Sequence, residues 1–217
     1  YTRQAGQVSD AMMTAAIETA ARGVNEKLIA AEVYKAMILA GGEYPGFVPF
    51  IRSTPTLGQE HGVWSDYELR SGETLFLEMA GCVARYHAPI GRLIFIDQAP
   101  TGSAELERLC IEAFDAVVEV IKPGAIMGDV FQVWQDRVDA AGLSHYRRHH
   151  CGYTLGIGFP PSWTGGAHVV GIRAGSTMRI RAGMVFHLIS WLLGCGRGDY
   201  FVSDTAVGTE NGCEVLT

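Results

Sequence analysis

A carboxylate set inside an apolar strand constrains this chain more than any other feature. The stretch is Thr74-Leu-Phe-Leu-Glu78-Met-Ala-Gly81-Cys-Val-Ala-Arg-Tyr86-His87-Ala-Pro89-Ile-Gly-Arg92. It reads as a hairpin, with a turn at Ala80-Gly81 and a return strand from Val83. Alternation along a strand puts Glu78 on one face with Phe76 and Ala80, and Tyr86 on a face with Ala84 and Ala88. Burying an unpaired carboxylate costs several kcal/mol, so Glu78 must be paired or hydrogen-bonded. Either it is half of a structural pair with an arginine or histidine, or it belongs to a site.

Composition narrows the classes. The chain has 217 residues, 48% of them hydrophobic and 18% charged, with 27 glycines, which suits a globular protein with a real core and many turns. A net charge of −6 offers no basic field for nucleic acid or an anionic membrane surface. The longest apolar run, Met184 to Cys195, is broken by His187 and Ser190 and is too short to span a bilayer. Five scattered cysteines, with no Cys-x-x-Cys pair, point to reduced thiols in a cytoplasmic protein. The chain opens at Tyr1 with no initiator methionine, so a preceding segment is expected.

Periodicity divides the chain into two similar halves, about 7–98 and 102–217. In the first, a helix from Val8 to Arg22 is expected, capped by Ser9 and Asp10, then a second capped by Asn25 and stopped by Gly41-Gly42. A strand over Phe47–Ile51, a loop with Pro55, Gly58 and His61, and the Glu78 hairpin follow. The second half starts with a long helix capped by Ser103 and a shorter one capped by Asp129. The glycine-rich run from Cys151 then leads into strands over Thr177–Ile180, Met184–Leu193, Tyr200–Gly208 and Glu214–Thr217. Helices followed by strands, twice over, predict an α+β fold with one curved antiparallel sheet, helices on one face and the concave face left for ligand.

Candidate chemistry gathers on Glu78, on several histidines (His61, His87, His149, His150, His187) and on Tyr153 in the glycine-rich run. That run is a poor phosphate cradle, since it follows a helix and precedes Pro160-Pro161.

The doubled layout, a histidine ahead of a glutamate-bearing hairpin, and the closing Thr209-Glu-Asn-Gly-Cys-Glu-Val-Leu-Thr217 resemble the pita-bread fold of creatinase, prolidase and methionine aminopeptidase, peptidase family M24. Three motifs in order are similar to the ectoine hydrolases within it. They are Phe76-Leu-Glu78-Met-Ala-Gly-Cys-x-x-Arg85-Tyr86-His87-x-Pro89-x-x-Arg92, then Gly152-Tyr153-x-x-Gly-x-x-x-Pro160-Pro161-x-Trp163, then Gly183-Met-x-Phe-His187. The resemblance covers essentially the whole chain and implies a single catalytic pita-bread domain, with a further domain ahead of it.

The resemblance also implies where chemistry sits. Metal-dependent members hold two divalent ions on five ligands, and those positions are here Glu78, Pro89, Tyr153, Ile189 and Ser203. Proline and isoleucine cannot ligate, so neither metal nor cofactor is expected. The implied activity is metal-independent hydrolysis of a non-peptide C–N bond in a small cyclic amidine or amide. In it His61 shuttles the proton, Glu78 orients the substrate nitrogen and Tyr153 donates to an oxyanion or a substrate carboxylate. Tyr86, His87, His149, Trp163, His187 and Asp204 are expected around the substrate, in a cytoplasmic homodimer. Two other readings stay open: a metal-dependent Xaa-Pro aminopeptidase or prolidase, and a non-catalytic binder of a metabolite or peptide on the same fold.

Overall fold

The computed structural model describes residues 1–165 and 169–217. The chain divides into two units, the first comprising 1–101 with 157–163 and residue 217, and the second 102–156 with 164–216.

The first unit packs helices α1 (Thr2–Thr19) and α2 (Glu26–Leu39) on a three-stranded antiparallel sheet of β1 (Phe50–Ser53), β2 (Thr74–Val83) and β3 (Tyr86–Phe95). Met12, Ile29, Val33, Ile51, Leu75, Leu77, Met79 and Ile90 form its core. These strand residues occupy one face of the sheet. The opposite face carries Phe50, Arg52, Phe76, Glu78, Ala80 and Cys82, as the register pairs Phe50 with Glu78 and Arg52 with Phe76.

Two sequence expectations fail here for one reason. Ser9 does not cap a helix, because α1 already runs from Thr2. Its buried hydroxyl instead donates to the carbonyls of Ala5 and Ala88 and accepts the Gly81 amide at 2.8 Å. Gly81 therefore lies within β2 rather than in a turn. A Cβ there would fall 2.3 Å from the Ala5 carbonyl oxygen, so glycine lets the helix backbone approach the strand. The turn is Ala84-Arg85, both at positive φ (49° and 67°), the two-residue geometry that matches strand twist. Asn25 does cap α2, accepting from the Lys27 amide at 2.9 Å.

The second unit packs α3 (Ser103–Val120) and α4 (Met127–Ala140) on β4 (Gly152–Leu155), β5 (Val185–Trp191), β6 (Phe201–Gly208) and β7 (Cys213–Val215), all antiparallel. Leu109, Phe114, Val117, Phe131, Trp134, Phe186, Leu188 and Ala206 lie in its core. Ser190 on β5 joins the layers, its hydroxyl accepting from Trp134 Nε1 at 3.0 Å. Ser103 opens α3 from inside the helix behind Gly102, and α4 begins at Met127, with Asp129 in its first turn rather than as its cap. The strand expected over Thr177–Ile180 does not form, and the segment makes a single bridge among the described residues, Arg179 to Ile126. Among the described residues no helix is long and apolar enough to cross a membrane.

Candidate active site

Glu78 is the most perturbed carboxylate of the first unit. It is 8% exposed in mid-β2, and burial pushes its carboxyl up to about 7, with Arg52 pulling it down and Glu60 pushing it further up. Arg52 is 1% exposed on the neighbouring strand. Its guanidinium lies 3.9 Å over the Phe76 ring, a favourable cation–π geometry, and donates to the carbonyls of Leu57, at 3.2 Å, and Gln59. Those carbonyls belong to the loop that delivers Glu60 and His61.

That loop leaves β1 through a 3-10 turn at Thr54–Thr56. Buried Glu26 fixes both of its ends. One carboxylate oxygen accepts from the Ser53 amide (3.0 Å) and hydroxyl (2.6 Å), the other from the Ser65 amide (2.7 Å) and hydroxyl (2.6 Å). Between these anchors His61 is exposed, at φ 59°, with its ring stacked on Phe47 (5.4 Å) and tilted against Phe50 (5.2 Å). Trp163, 1% exposed, packs edge-on against Phe47 at 4.8 Å and against Phe50 at 5.6 Å. Arg85 ties the 157–163 segment down, donating to Gly158 O through Nε and Nη2 and to Tyr44 O through Nη1. So His61 and Trp163 share the Phe47–Phe50 pair, and Phe50 is the register partner of Glu78.

Two expected neighbours of the substrate take other places in the first unit. Tyr86 shares its face with Ala88 and Ile90, the side that packs on the helices, and stacks on Tyr1 at 5.7 Å. His87 is buried on the Glu78 side of the hairpin, but both its ring nitrogens are committed to backbone. Nε2 accepts from the Gly46 amide at 2.8 Å and Nδ1 lies 3.1 Å from Arg85 O, so the neutral ring with hydrogen on Nδ1 serves both. Burial first, then the Arg85 charge, lower its pKa to about 4. His87 is thus a structural residue.

In the second unit the register sets Tyr153 opposite His187, and His187 opposite Thr205. His187 is fully buried, with Nδ1 2.8 Å from the Tyr153 hydroxyl and Nε2 2.8 Å from Ser203 Oγ. Desolvation, helped by His150, lowers its pKa to about 3, so the ring is neutral and one nitrogen donates while the other accepts. His150 packs edge-on to Tyr153 at 5.5 Å and exposed His149 against His150 at 4.3 Å. Burial, then the nearby His149 and Arg148, lower His150 to about 4. Asp204 pairs in register with Leu188 on the helix-packed face, opposite to that of Tyr153 and His187. It was expected near substrate; one step along a strand reverses the face.

The sequence reading missed Arg52, Glu60 and Glu26. An arginine directly after an apolar strand, ahead of a histidine loop, was the available signal for the first.

The donors at the metal-ligand positions do not fit a pair of divalent ions. In the first unit they are Glu78 and Pro89, in the second Tyr153, Ile189 and Ser203, and Pro89 and Ile189 offer no donor atom. Among the described residues no three His, Cys, Asp or Glu are grouped to hold a metal ion.

Comparison with known proteins agrees with this architecture. The model of metallopeptidase family M24 matches residues 1–213. The ectoine hydrolase of Halomonas elongata is 29% identical over 227 residues, covering 100% of this chain and 55% of that protein. The Xaa-Pro dipeptidase of Pyrococcus furiosus is 26% identical, with 99% and 60% covered. The prolidase structure from Pyrococcus furiosus superposes with a TM-score of 0.88 at 26% identity, over 99% of this chain and 62% of that one. The chain thus spans little more than half the length of these relatives. Its fold is the α+β pita-bread fold, with a curved antiparallel sheet and helices, and the relatives are hydrolases. The chain belongs to metallopeptidase family M24.

Proposed function

We propose that this chain supplies the catalytic centre of a hydrolase that opens a non-peptide C–N bond in a small cyclic amidine or amide, ectoine-hydrolase-like, and that works without a metal ion. The observation that carries the reading is Glu78: a buried carboxylate held near neutrality, at a position where metal-dependent relatives need a ligand, beside Pro89, which cannot be one. Similarity to the ectoine hydrolase of Halomonas elongata supports the substrate class.

The roles follow from the placement. His61, exposed on its loop and braced by Phe47 and Phe50, takes a proton from water as that water attacks the amidine carbon, then returns it to the leaving nitrogen. Glu78 holds that nitrogen by a hydrogen bond, charge-assisted when the carboxyl is ionised. Its carboxyl at about 7 can also stay protonated beside a neutral substrate. Trp163 walls the same side of the first unit.

The test is turnover of ectoine by the full-length protein in excess chelator, with metal content measured by elemental mass spectrometry. Ring opening with chelator present, and its loss by about 10²–10⁴-fold in His61→Ala, is the expected result. Stoichiometric bound metal with chelator-sensitive cleavage of Xaa-Pro dipeptides would replace this reading with a prolidase. Ligand binding without turnover, unchanged in His61→Ala, would leave a non-catalytic binder.

A further inference from the structure

We propose that Arg52 is the positioning residue of the first-unit site, the strut that holds the Glu60–His61 loop in place relative to the strand carrying Glu78. The inference rests on the reading of His61 and Glu78 given above, and adds a residue to which that reading assigns no part.

Arg52 stands at the third position of a four-residue strand, on the face of the sheet shared by Phe50, Phe76 and Glu78. A side chain there has no need of charge, since Phe50 and Phe76 on either side are apolar and buried. A buried guanidinium persists only where its donors and its charge are answered. Here Nη1 and the charge are answered from two directions, while buried Nε makes no hydrogen bond among the described residues. The loop supplies the Leu57 and Gln59 carbonyls to Nη1, and the charges of Glu78 and Glu60 favour the guanidinium. The loop also lies on the aliphatic stem. A Cβ built on Gly62 would sit 2.9 Å from Arg52 Cδ and 3.2 Å from Cγ, so the glycine after His61 is what lets the chain pass that close.

His61 sits in the left-handed region, at φ 59°, which a non-glycine residue keeps only when its surroundings hold it there. Glu26 fixes the loop at Ser53 and Ser65, local turn bonds such as Gln59 N to Thr56 O and Gly62 N to Gln59 O curl the span between, and Arg52 ties the Leu57 and Gln59 carbonyls to β1. The planar group stacks on Phe76 while its Nη1 donates to both carbonyls and its charge answers Glu78 and Glu60. An ammonium, a point charge on a flexible stem, cannot reproduce that set. Arg52 thereby joins the proton shuttle to the carboxylate mechanically through the loop and electrostatically through Glu78.

Two substrate-free measurements on the full-length protein test this in Arg52→Met and Arg52→Lys. The first is amide hydrogen exchange over residues 57–62. The second is the titration of the Glu78 carboxyl by 13C NMR, assigned with Glu78→Gln. In Arg52→Met the loop amides are expected to exchange at least about tenfold faster while β2 and β3 keep their protection, and Glu78 to bind its proton about tenfold or more tightly. Arg52→Lys keeps the charge, so the Glu78 titration stays near the parent's while the loop exchange rises. Unchanged loop exchange in either variant, or an unmoved Glu78 titration in folded Arg52→Met, would overturn the proposal. If Arg52→Met does not fold, loop exchange in Arg52→Lys still decides it. Because neither readout uses a substrate, a failure of the hydrolase reading would appear separately, as ectoine turnover indifferent to His61→Ala.

Discussion

The Tyr153 hydroxyl and His187 Nδ1 stand 2.8 Å apart across β4 and β5, and His187 Nε2 lies the same distance from Ser203 Oγ on β6. Three strands are thereby linked through one neutral imidazole. The link is possible because Tyr153, His187, Ile189 and Ser203 alternate onto the same face.

Replacing Tyr153 by Phe removes the partner of His187 Nδ1 without changing the ring that packs against His150 and His187. A buried polar atom that loses its partner costs about 1–3 kcal/mol, and Ser203→Ala should cost a similar amount through Nε2. Urea unfolding of both variants at neutral pH checks this. Parent-like stability in both would mean that the imidazole does not tie the strands.

The same burial gives an acid sensitivity with a definite sign. His187, His150 and His87 have folded pKa values lowered from the ordinary 6.5 to about 3, about 4 and about 4. As pH falls below 6.5 the unfolded chain takes up protons that the folded chain refuses. Stability therefore drops from about pH 6.5 toward pH 4, by up to about 1.4 kcal/mol per pH unit for each such histidine. His87→Gln should flatten the curve by one histidine's share, measured as denaturant midpoints over that range. A slope equal to the parent's would show that His87 does not stay neutral in the fold.

A third expectation concerns the close approach of α1 to β2. Gly81→Ala places a methyl 2.3 Å from Ala5 O and 2.7 Å from Val8 Cβ, with the helix backbone as the obstacle. Overpacking of this kind costs about 1–3 kcal/mol or more, since neither backbone can yield without losing the Ser9 bridge. Thermal melting should show the loss, and Ala84→Gly in the nearby turn should instead be neutral or stabilising, because Ala84 holds φ 49°.

These positions also mark what was legible in the chain. The Glu78 strand, the order of helices and strands, and the Asn25 cap were all written in local patterns of period and capping chemistry. The Ser9 and Gly81 assignments failed because a serine near a helix start and a glycine in a strand have common local meanings, whereas both here answer to a contact 72 residues apart in sequence. Tyr86 and Asp204 were placed by their chemistry, but a strand's two faces differ by a single residue of register, which composition does not encode. Arg52 was overlooked for a related reason: its partners are backbone carbonyls and a carboxylate 26 residues on, and neither makes a motif.

The last expectation isolates Glu78. Its folded pKa of about 7 lies above the ordinary 4.5, so between those values the folded chain holds a proton that the unfolded chain has released. By linkage the contribution of Glu78 alone falls as pH rises from about 4.5 to about 7, against the opposite slope of the buried histidines, and its fall stops above that range. Glu78→Gln cannot release this proton, so its stability should lack that decline. The difference between the two proteins should change by up to about 3 kcal/mol across the window and be flat on either side of it, at 1.4 kcal/mol per unit of pKa difference. The comparison cancels the other effects of the substitution, because whatever the new amide does to Arg52 adds a nearly constant offset while the guanidinium stays charged. Denaturant unfolding of both proteins in steps from pH 4 to pH 8 gives the curve. Parallel curves would mean that Glu78 ionises as an ordinary carboxylate, compensated fully by Arg52, and the protonated carboxyl offered to a neutral substrate would not be populated near pH 7.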